Sequence, residues 1–482
     1  MHSARHFSFA LPTRSVCCLA ALSALLFAAP APAAPPKFNP EEFPPSAQSY
    51  RRLADQMEQH LREGVIDVWY PRAIDSEHGG FYSHFLEDWS RGPENQKTIV
   101  YQARMTWVAA QVAMRYADRA AEFKPYTRHG LAMLRDVLWD EEHGGFFWAL
   151  DEQGSTTTPF GAQKHLYGMS FGIYGASAAY QATGDRDALE LAQRAFQWLD
   201  RHGHDARHGG YHEYFDREGH VLRGPFGEDG AWKDAVETIE GNAVPAAAKP
   251  ARLPMGPAYG YKSMNAHIHL LEALTALFEV WPDPLVRERL GEVLGVVRDR
   301  IAVEPGCLNL YFTPAWRPVP DVESFGHDVE TAFLLLEASH ALKRQHDDRT
   351  CLVARRLVDH PLRAGWDEQH GGFFDTGLPF GRPIKTEKVW WTQAEGLNAL
   401  LMMHELHGGE STRYYDAFLR QWQFIWEHQI DHENGGWRNT VSAEGHAEPG
   451  APKATVWKAA YHNSRALMHC IDRLRRLAEP SP

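Results

Sequence analysis

A four-residue signature returns along this chain at nearly constant spacing, and that beat limits the fold more than any other feature. It reads His-Gly-Gly-aromatic at His78-Gly79-Gly80-Phe81, His143-Gly144-Gly145-Phe146, His208-Gly209-Gly210-Tyr211 and His370-Gly371-Gly372-Phe373, with Asn434-Gly435-Gly436-Trp437 as a variant. Gly79, Gly144 and Gly209 are 65 residues apart, and Gly371 and Gly435 are 64 apart. Between Gly209 and Gly371 there is room for one more copy. Glu304-Pro305-Gly306-Cys307 is a degenerate one, with Gly306 again 65 residues before Gly371. The surplus falls at 229–261, a stretch rich in Pro, Ala and Gly that predicts an irregular insertion. Six copies of one supersecondary unit indicate neighbours that bury a shared core by stacking.

Aromatic residues alternate after the glycines, as in Phe81-Tyr82-Ser83-His84-Phe85, which predicts a glycine turn followed by a short strand. Two helical patterns lie between successive signatures. One set is charged on one face and belongs outside: Ala47–Glu63, Ala120–Leu138, Ala188–His202, Pro284–Ile301, Arg349–Arg363 and Thr412–His428. The other is rich in Ala, Gly, Leu and aromatics and belongs inside: Thr98–Ala117, Gln163–Thr183, Lys262–Trp281, His327–Lys343, Glu387–Leu406 and Thr455–Leu477. The expectation is an all-α (α/α)6 barrel of six helical hairpins and twelve helices. Short β-hairpins sit in its loops, and the loops before the inner helices gather at one mouth.

The first 34 residues read as a secretory signal: Arg5 and Arg14, an apolar run from Val16 to Ala29, and Ala31-Pro32-Ala33 for cleavage. That leaves 35–482 as one catalytic domain, exported to the periplasm or beyond, with no membrane attachment after cleavage. Its cysteines, Cys307, Cys351 and Cys470, suit neither a zinc site nor a disulfide framework and are expected as free thiols. A formal net charge of −13 argues against nucleic acid as a partner.

Polar residues that helix packing does not explain cluster near the starts of the inner helices. They are Gln102 and Arg104; Lys164, His165 and Tyr167; Asn265, His269 and Glu272; His327 and Glu330; Trp391 and Glu395; and Trp457, Lys458, Tyr461, His462 and Arg465. Asn265, His269 and Glu272 share one helical face. His267, at i, i+2 from His269, points elsewhere and is expected to be structural or at the surface. Three histidines at matching depth, each with a carboxylate or a basic group one turn away, suit general acid–base chemistry near neutral pH. Tryptophans beside them offer flat platforms for sugar rings. No metal is expected, since no His-Glu-x-x-His or Cys/His spacing occurs, and no phosphate loop, nucleophile elbow or dinucleotide fingerprint is found.

With these residues together, the chain resembles the N-acylglucosamine 2-epimerase superfamily, and within it the cellobiose 2-epimerases. The resemblance rests on Gln102-x-Arg104, Lys164-His165-x-Tyr167, Lys262-Ser263-Met264-Asn265-x-x-x-His269-x-x-Glu272, Gly326-His327-Asp328-Val329-Glu330, Trp390-Trp391-x-Gln393-Ala394-Glu395 and Trp457-Lys458-x-x-Tyr461-His462-x-x-Arg465. It implies cofactor-free inversion at C2 of a reducing-end sugar; the protein itself is expected as a monomer or homodimer. His327 and His462 match the acid–base pair, His269 a third essential histidine, and Arg104 a substrate contact whose charge suits it to steady a developing oxyanion. Tyr167, Asn265, Glu330, Trp391, Glu395 and Trp457 match substrate contacts. Phe333 stands where many cellobiose epimerases carry a tryptophan platform. An aldose–ketose isomerase acting on a mannose-type sugar is the alternative on the same fold. A glycoside hydrolase using two of Glu272, Glu330 and Glu395 is a lesser one.

Overall fold

The computed structural model describes residues 36–227, 258–344 and 347–479, with the backbone of 237–239 and 242–244. The leader assigned to 1–34 and most of the insertion at 229–261 lie outside the described residues. Within the insertion, Glu237–Ile239 pairs antiparallel with Asn242–Val244.

Among the described residues, twelve principal helices alternate outside and inside. The outer ones are α1 (Ala47–Gln59), α3 (Ala120–Ala132), α5 (Arg186–Gly203), α7 (Pro284–Val296), α9 (Asp348–Ala364) and α11 (Arg413–Phe424). The inner ones are α2 (Ile99–Arg115), α4 (Leu166–Thr183), α6 (Met264–Val280), α8 (Phe325–Ala341), α10 (Trp390–His407) and α12 (Tyr461–Leu477). Outer helices bury one stripe, as α1 does with Leu53, Ala54 and Met57 while Arg51 and Arg52 stay in water. Inner helices are buried nearly all round, because each meets two inner neighbours and its own outer helix. Those contacts run α2–α4–α6–α8–α10–α12 and back to α2, a closed ring.

Each signature is a tight turn whose flanks bridge: Ile74 with Phe81, Trp139 with Phe146, His204 with Tyr211, Trp366 with Phe373 and Ile430 with Trp437. The degenerate copy does the same, Ala302–Val303 pairing with Cys307–Leu308. Glycine is required at Gly80, where φ is +64° and an added Cβ would lie 2.4 Å from Gln102 Oε1. A buried ion pair clamps the turn. Lys97 Nζ donates to Asp75 Oδ2 at 2.6 Å and to the Gly79 carbonyl at 2.9 Å, while Asp75 Oδ1 accepts the amides of Glu77 and His78. Lys164–Asp140, Lys262–Asp205, Lys388–Asp367 and Lys453–Asp431 repeat the pair.

Five residues after each lysine, a side chain reaches the backbone of the turn's aromatic residue. Gln102 Oε1, Met169 Sδ, His267 Nε2 and Gln393 Oε1 accept its amide, and Lys458 donates to its carbonyl. Gln102, Lys164 and Lys458, polar residues at the helix starts that packing alone did not explain, therefore serve the turns. His267 is buried as a clamp and is not a surface group.

The lysines also correct the helix starts. Lys97–Thr98, Lys164–His165, Lys262–Ser263 and Lys388–Val389 are two-residue strands, each paired with the next unit's loop. Helical periodicity cannot see elements this short, so α4, α6 and α10 begin later than expected. α12 begins at Tyr461 because Thr455 Oγ1 accepts the Trp457 and Lys458 amides in a turn of its own. In the last unit, Ala454 bridges Phe85 of the first, so the loop layer closes as the helices do. Among the described residues no helix is long and apolar enough to cross a membrane. Cys307, Cys351 and Cys470 are free.

Candidate active site

The inner helices run in one direction, so their first turns face the mouth and place side chains from six different helices around one axis. At its centre lies Arg465 on α12, 1% exposed. Its guanidinium binds Glu272 of α6, Glu330 of α8 and Glu395 of α10, the last at 2.7 Å, and also the Tyr461 hydroxyl at 2.6 Å. One cation thus ties three carboxylates together, and two of those carboxylates orient histidines. His462 Nδ1 lies 2.7 Å from Glu395 Oε1, and His269 Nδ1 lies 2.9 Å from Glu272 Oε2. A carboxylate that accepts Nδ1–H fixes the tautomer and leaves Nε2 to meet a substrate. Burial would raise Glu272, but Arg465 and the His269 hydrogen bond hold it at about 2. Burial wins at Glu395, which is raised although Arg465 opposes it.

His327 is placed differently from the expectation of a carboxylate one turn away. Its Nδ1 meets Ser324 Oγ at 2.7 Å, because Glu330 is turned toward Arg465. Its ring packs 4.6 Å from the Trp391 indole, and the His462 ring packs 5.8 Å from the same indole. Burial lowers His327 to about 4 against the opposing pull of Glu330, with His269 and Arg104 reinforcing the drop. His462 is driven well below the usual histidine range, first by burial, with Glu330 opposing. Both imidazoles are therefore neutral at neutral pH.

Arg104 spans the opposite wall. It donates to the Tyr167 hydroxyl and to the Trp457 carbonyl, each at 3.0 Å, and its guanidinium lies 4.5 Å from the Phe171 ring centre. Tyr167 and Phe171 in turn pack on His269 at 5.1 and 4.9 Å. Asn265, His327 and Trp391 are partly exposed at the mouth. Trp457 is 41% exposed and sits 6.2 Å from Trp148 at the rim. Asn265 Oδ1, Glu330 Oε2 and Glu395 Oε2 are buried with no hydrogen-bond partner among the described residues. Glu330, Glu395 and His462 are close enough to share a cation, but Oε1 of both carboxylates already meets Arg465.

Ten of the eleven expected site residues, Arg104, Tyr167, Asn265, His269, His327, Glu330, Trp391, Glu395, Trp457 and His462, thus surround one region. Phe333 does not join them. One turn deeper than Glu330, it packs under Arg465 and against His469, 4.6 Å between ring centres. His469 lines a cavity of about 560 Å³ with Trp107, Glu279 and Glu337, and Glu272 of the hub borders it as well. The hub role of Arg465 and the part of Ser324 were not read from the sequence. The signals for Arg465 were its place in a basic row with His462 and in the segment that carries the family resemblance.

The chain matches the N-acylglucosamine 2-epimerase (GlcNAc 2-epimerase) family over residues 79–225 and 231–466. It is 28% identical over 428 residues to a cellobiose 2-epimerase of Bacteroides fragilis, covering 88% of this chain and 98% of that one. It is 26% identical over 436 residues to a D-mannose isomerase of Marinomonas mediterranea, covering 87% and 97%. The solved structure of cellobiose 2-epimerase from Spirochaeta thermophila superposes with a TM-score of 0.74 at 31% identity, covering 90% and 99%. With an (α/α)6 barrel and this match over most of its length, the chain belongs to the N-acylglucosamine 2-epimerase family and is a carbohydrate epimerase or isomerase.

Proposed function

We propose that this enzyme inverts C2 of a reducing-end aldose of the cellobiose or lactose type, with no cofactor, by ring opening and a cis-enediolate. The observation that carries the reading is that His327 and His462, from α8 and α12, pack on one indole, each with Nδ1 engaged and Nε2 left over. Once the sugar ring is open, the C1 carbonyl acidifies the C2 proton. One neutral imidazole removes it and becomes imidazolium, and the other ring, which takes up a proton from solvent once the negative enediolate lies beside it, returns one to the opposite face; proton loss from the first ring to solvent resets the pair. One proton leaves carbon and one arrives, so no electrons are exchanged with a cofactor. Arg104 steadies the oxyanion that forms beside C2, a strong effect where water is excluded. His269, fixed by Glu272, assists ring opening. The unpartnered oxygens of Asn265, Glu330 and Glu395 suit sugar hydroxyls as acceptors. The Trp457–Trp148 rim suits the second ring of a disaccharide, and the cellobiose 2-epimerase names of two relatives agree.

A second reading, aldose–ketose isomerisation, is favoured by the D-mannose isomerase relative. It shares the enediolate and differs only in returning the proton to C1. Product analysis separates the two. Incubation with cellobiose is expected to give the disaccharide with mannose at its reducing end, and a ketose as main product would favour the second reading. The basic and apolar start of the chain supports action outside the cytoplasm.

A further inference from the structure

Five of the six units clamp the glycine turn with a lysine–aspartate pair, and the fourth does not. In the fourth unit Ala302 pairs with Leu308 as Ile74 bridges Phe81 in the first, so Val303 stands where the others carry aspartate. Glu323 heads the strand where the others carry lysine, and Asp328 is the side chain five residues on. Asp328 Oδ1 accepts the Leu308 amide at 2.9 Å, and Glu323 Oε2 accepts the Phe380 amide at 3.1 Å. The aspartate and lysine of the clamp are thus both gone, and two carboxyls stand at the lysine position and five residues on, both buried, 1% and 0% exposed. Among the described residues, Glu323 Oε1 and Asp328 Oδ2 have no hydrogen-bond donor from another side chain or the backbone, and the two side chains interact with each other. The other titratable groups facing the pair are Cys307 on the turn and His360 on α9, whose Nε2 is 2.8 Å from Glu323 Oε1 without hydrogen-bond geometry.

The exception falls in the unit that supplies His327. Asp328 is the next residue, and Ser324, which holds His327 Nδ1, follows Glu323 on the strand paired with Thr376–Gly377. We propose that Glu323 and Asp328 share one proton and that this singly charged carboxyl pair is the device that positions His327. The inference rests on His327 being one of the two proton-transferring imidazoles. Two adjacent buried carboxyls cannot both ionise at modest cost, so one keeps its proton and donates it to the other. Burial and Glu323 together push Asp328 well above the usual carboxylate range. The arrangement keeps a fixed ammonium away from a histidine that must stay neutral to act as a base. Removing the shared proton at alkaline pH sets the carboxylates against each other, loosens the Glu323–Ser324 strand and frees His327.

Asp328→Asn and Glu323→Gln each replace the proton with a permanent N–H donor of similar shape. Infrared spectra of the wild type at neutral pH are expected to show a carboxylic-acid C=O band that is missing from either variant. The alkaline limb of kcat is expected to move up by about one pH unit or more in Asp328→Asn. A role confined to structure would leave that limb in place. No band difference between the wild type and both variants, or an unmoved limb in a variant that lacks the band, overturns the proposal. His327→Ala serves as the control for the reading beneath it. Activity surviving that change refutes the role of His327, while the infrared band still decides whether the pair shares a proton.

Discussion

Arg465 bears the heaviest electrostatic load in the site, since three buried carboxylates on three helices depend on it. Arg465→Met is expected to lower unfolding free energy by about 3–5 kcal/mol, as stranding buried charges does, measured by denaturant titration. His327→Ala and His462→Ala are expected to cut kcat by about 10²–10⁴-fold with little change in Tm, because each leaves the hub intact. The pH profile follows from burial. His327 binds its proton only below about 4, so kcat/KM is expected to hold level through the range where a free imidazole charges. It then falls as the pH drops through about 4, where the neutral base is lost. A fall centred near the ordinary histidine value would contradict the shift.

At the scale of elements, the lysine–aspartate clamp sets where each inner helix starts and hence where its first-turn side chains point. Lys388→Met strands Asp367 and is expected to cost about 3–5 kcal/mol, read from the denaturation midpoint. The signature itself was legible because glycines at positive φ leave a mark that no other residue supplies. The helix pairs were legible because periodicity over three or more turns separates outer from inner faces. The clamp was not, since Lys97 and Asp75 are 22 residues apart and nothing local announces their pairing. Nor was the hub: Arg465 and Glu272 are 193 residues apart and meet only when the ring closes. His269 with Glu272 was legible for the opposite reason, being one turn apart on a single helix. Spacing along α8 gives Phe333 a face but not a depth, and its place beneath Arg465 is set by the packing of the closed ring.

Across the whole molecule, closure makes the site, since no two neighbouring helices carry the full set. α12 of the last unit packs on α1 and α2, Ala454 bridges Phe85, and the Arg51 guanidinium donates to the Ala478 carbonyl at 2.8 Å. The two ends of the described chain therefore lie side by side. A circular permutant opened at Gly409, where an added Cβ meets nothing, and joined from Glu479 to Pro36 by a flexible linker is expected to fold and keep its activity. Its Tm and kcat check that closure, and not chain order, defines the barrel. Two imidazoles working on one carbon is the central feature of the mechanism, and the most direct measurement is proton exchange at that carbon. NMR of cellobiose incubated with the enzyme in heavy water is predicted to show deuterium entering C2 of the reducing-end ring, with exchange lost in His327→Ala and His462→Ala. No deuterium at C2 with the wild type, or exchange that persists in both variants, would contradict it.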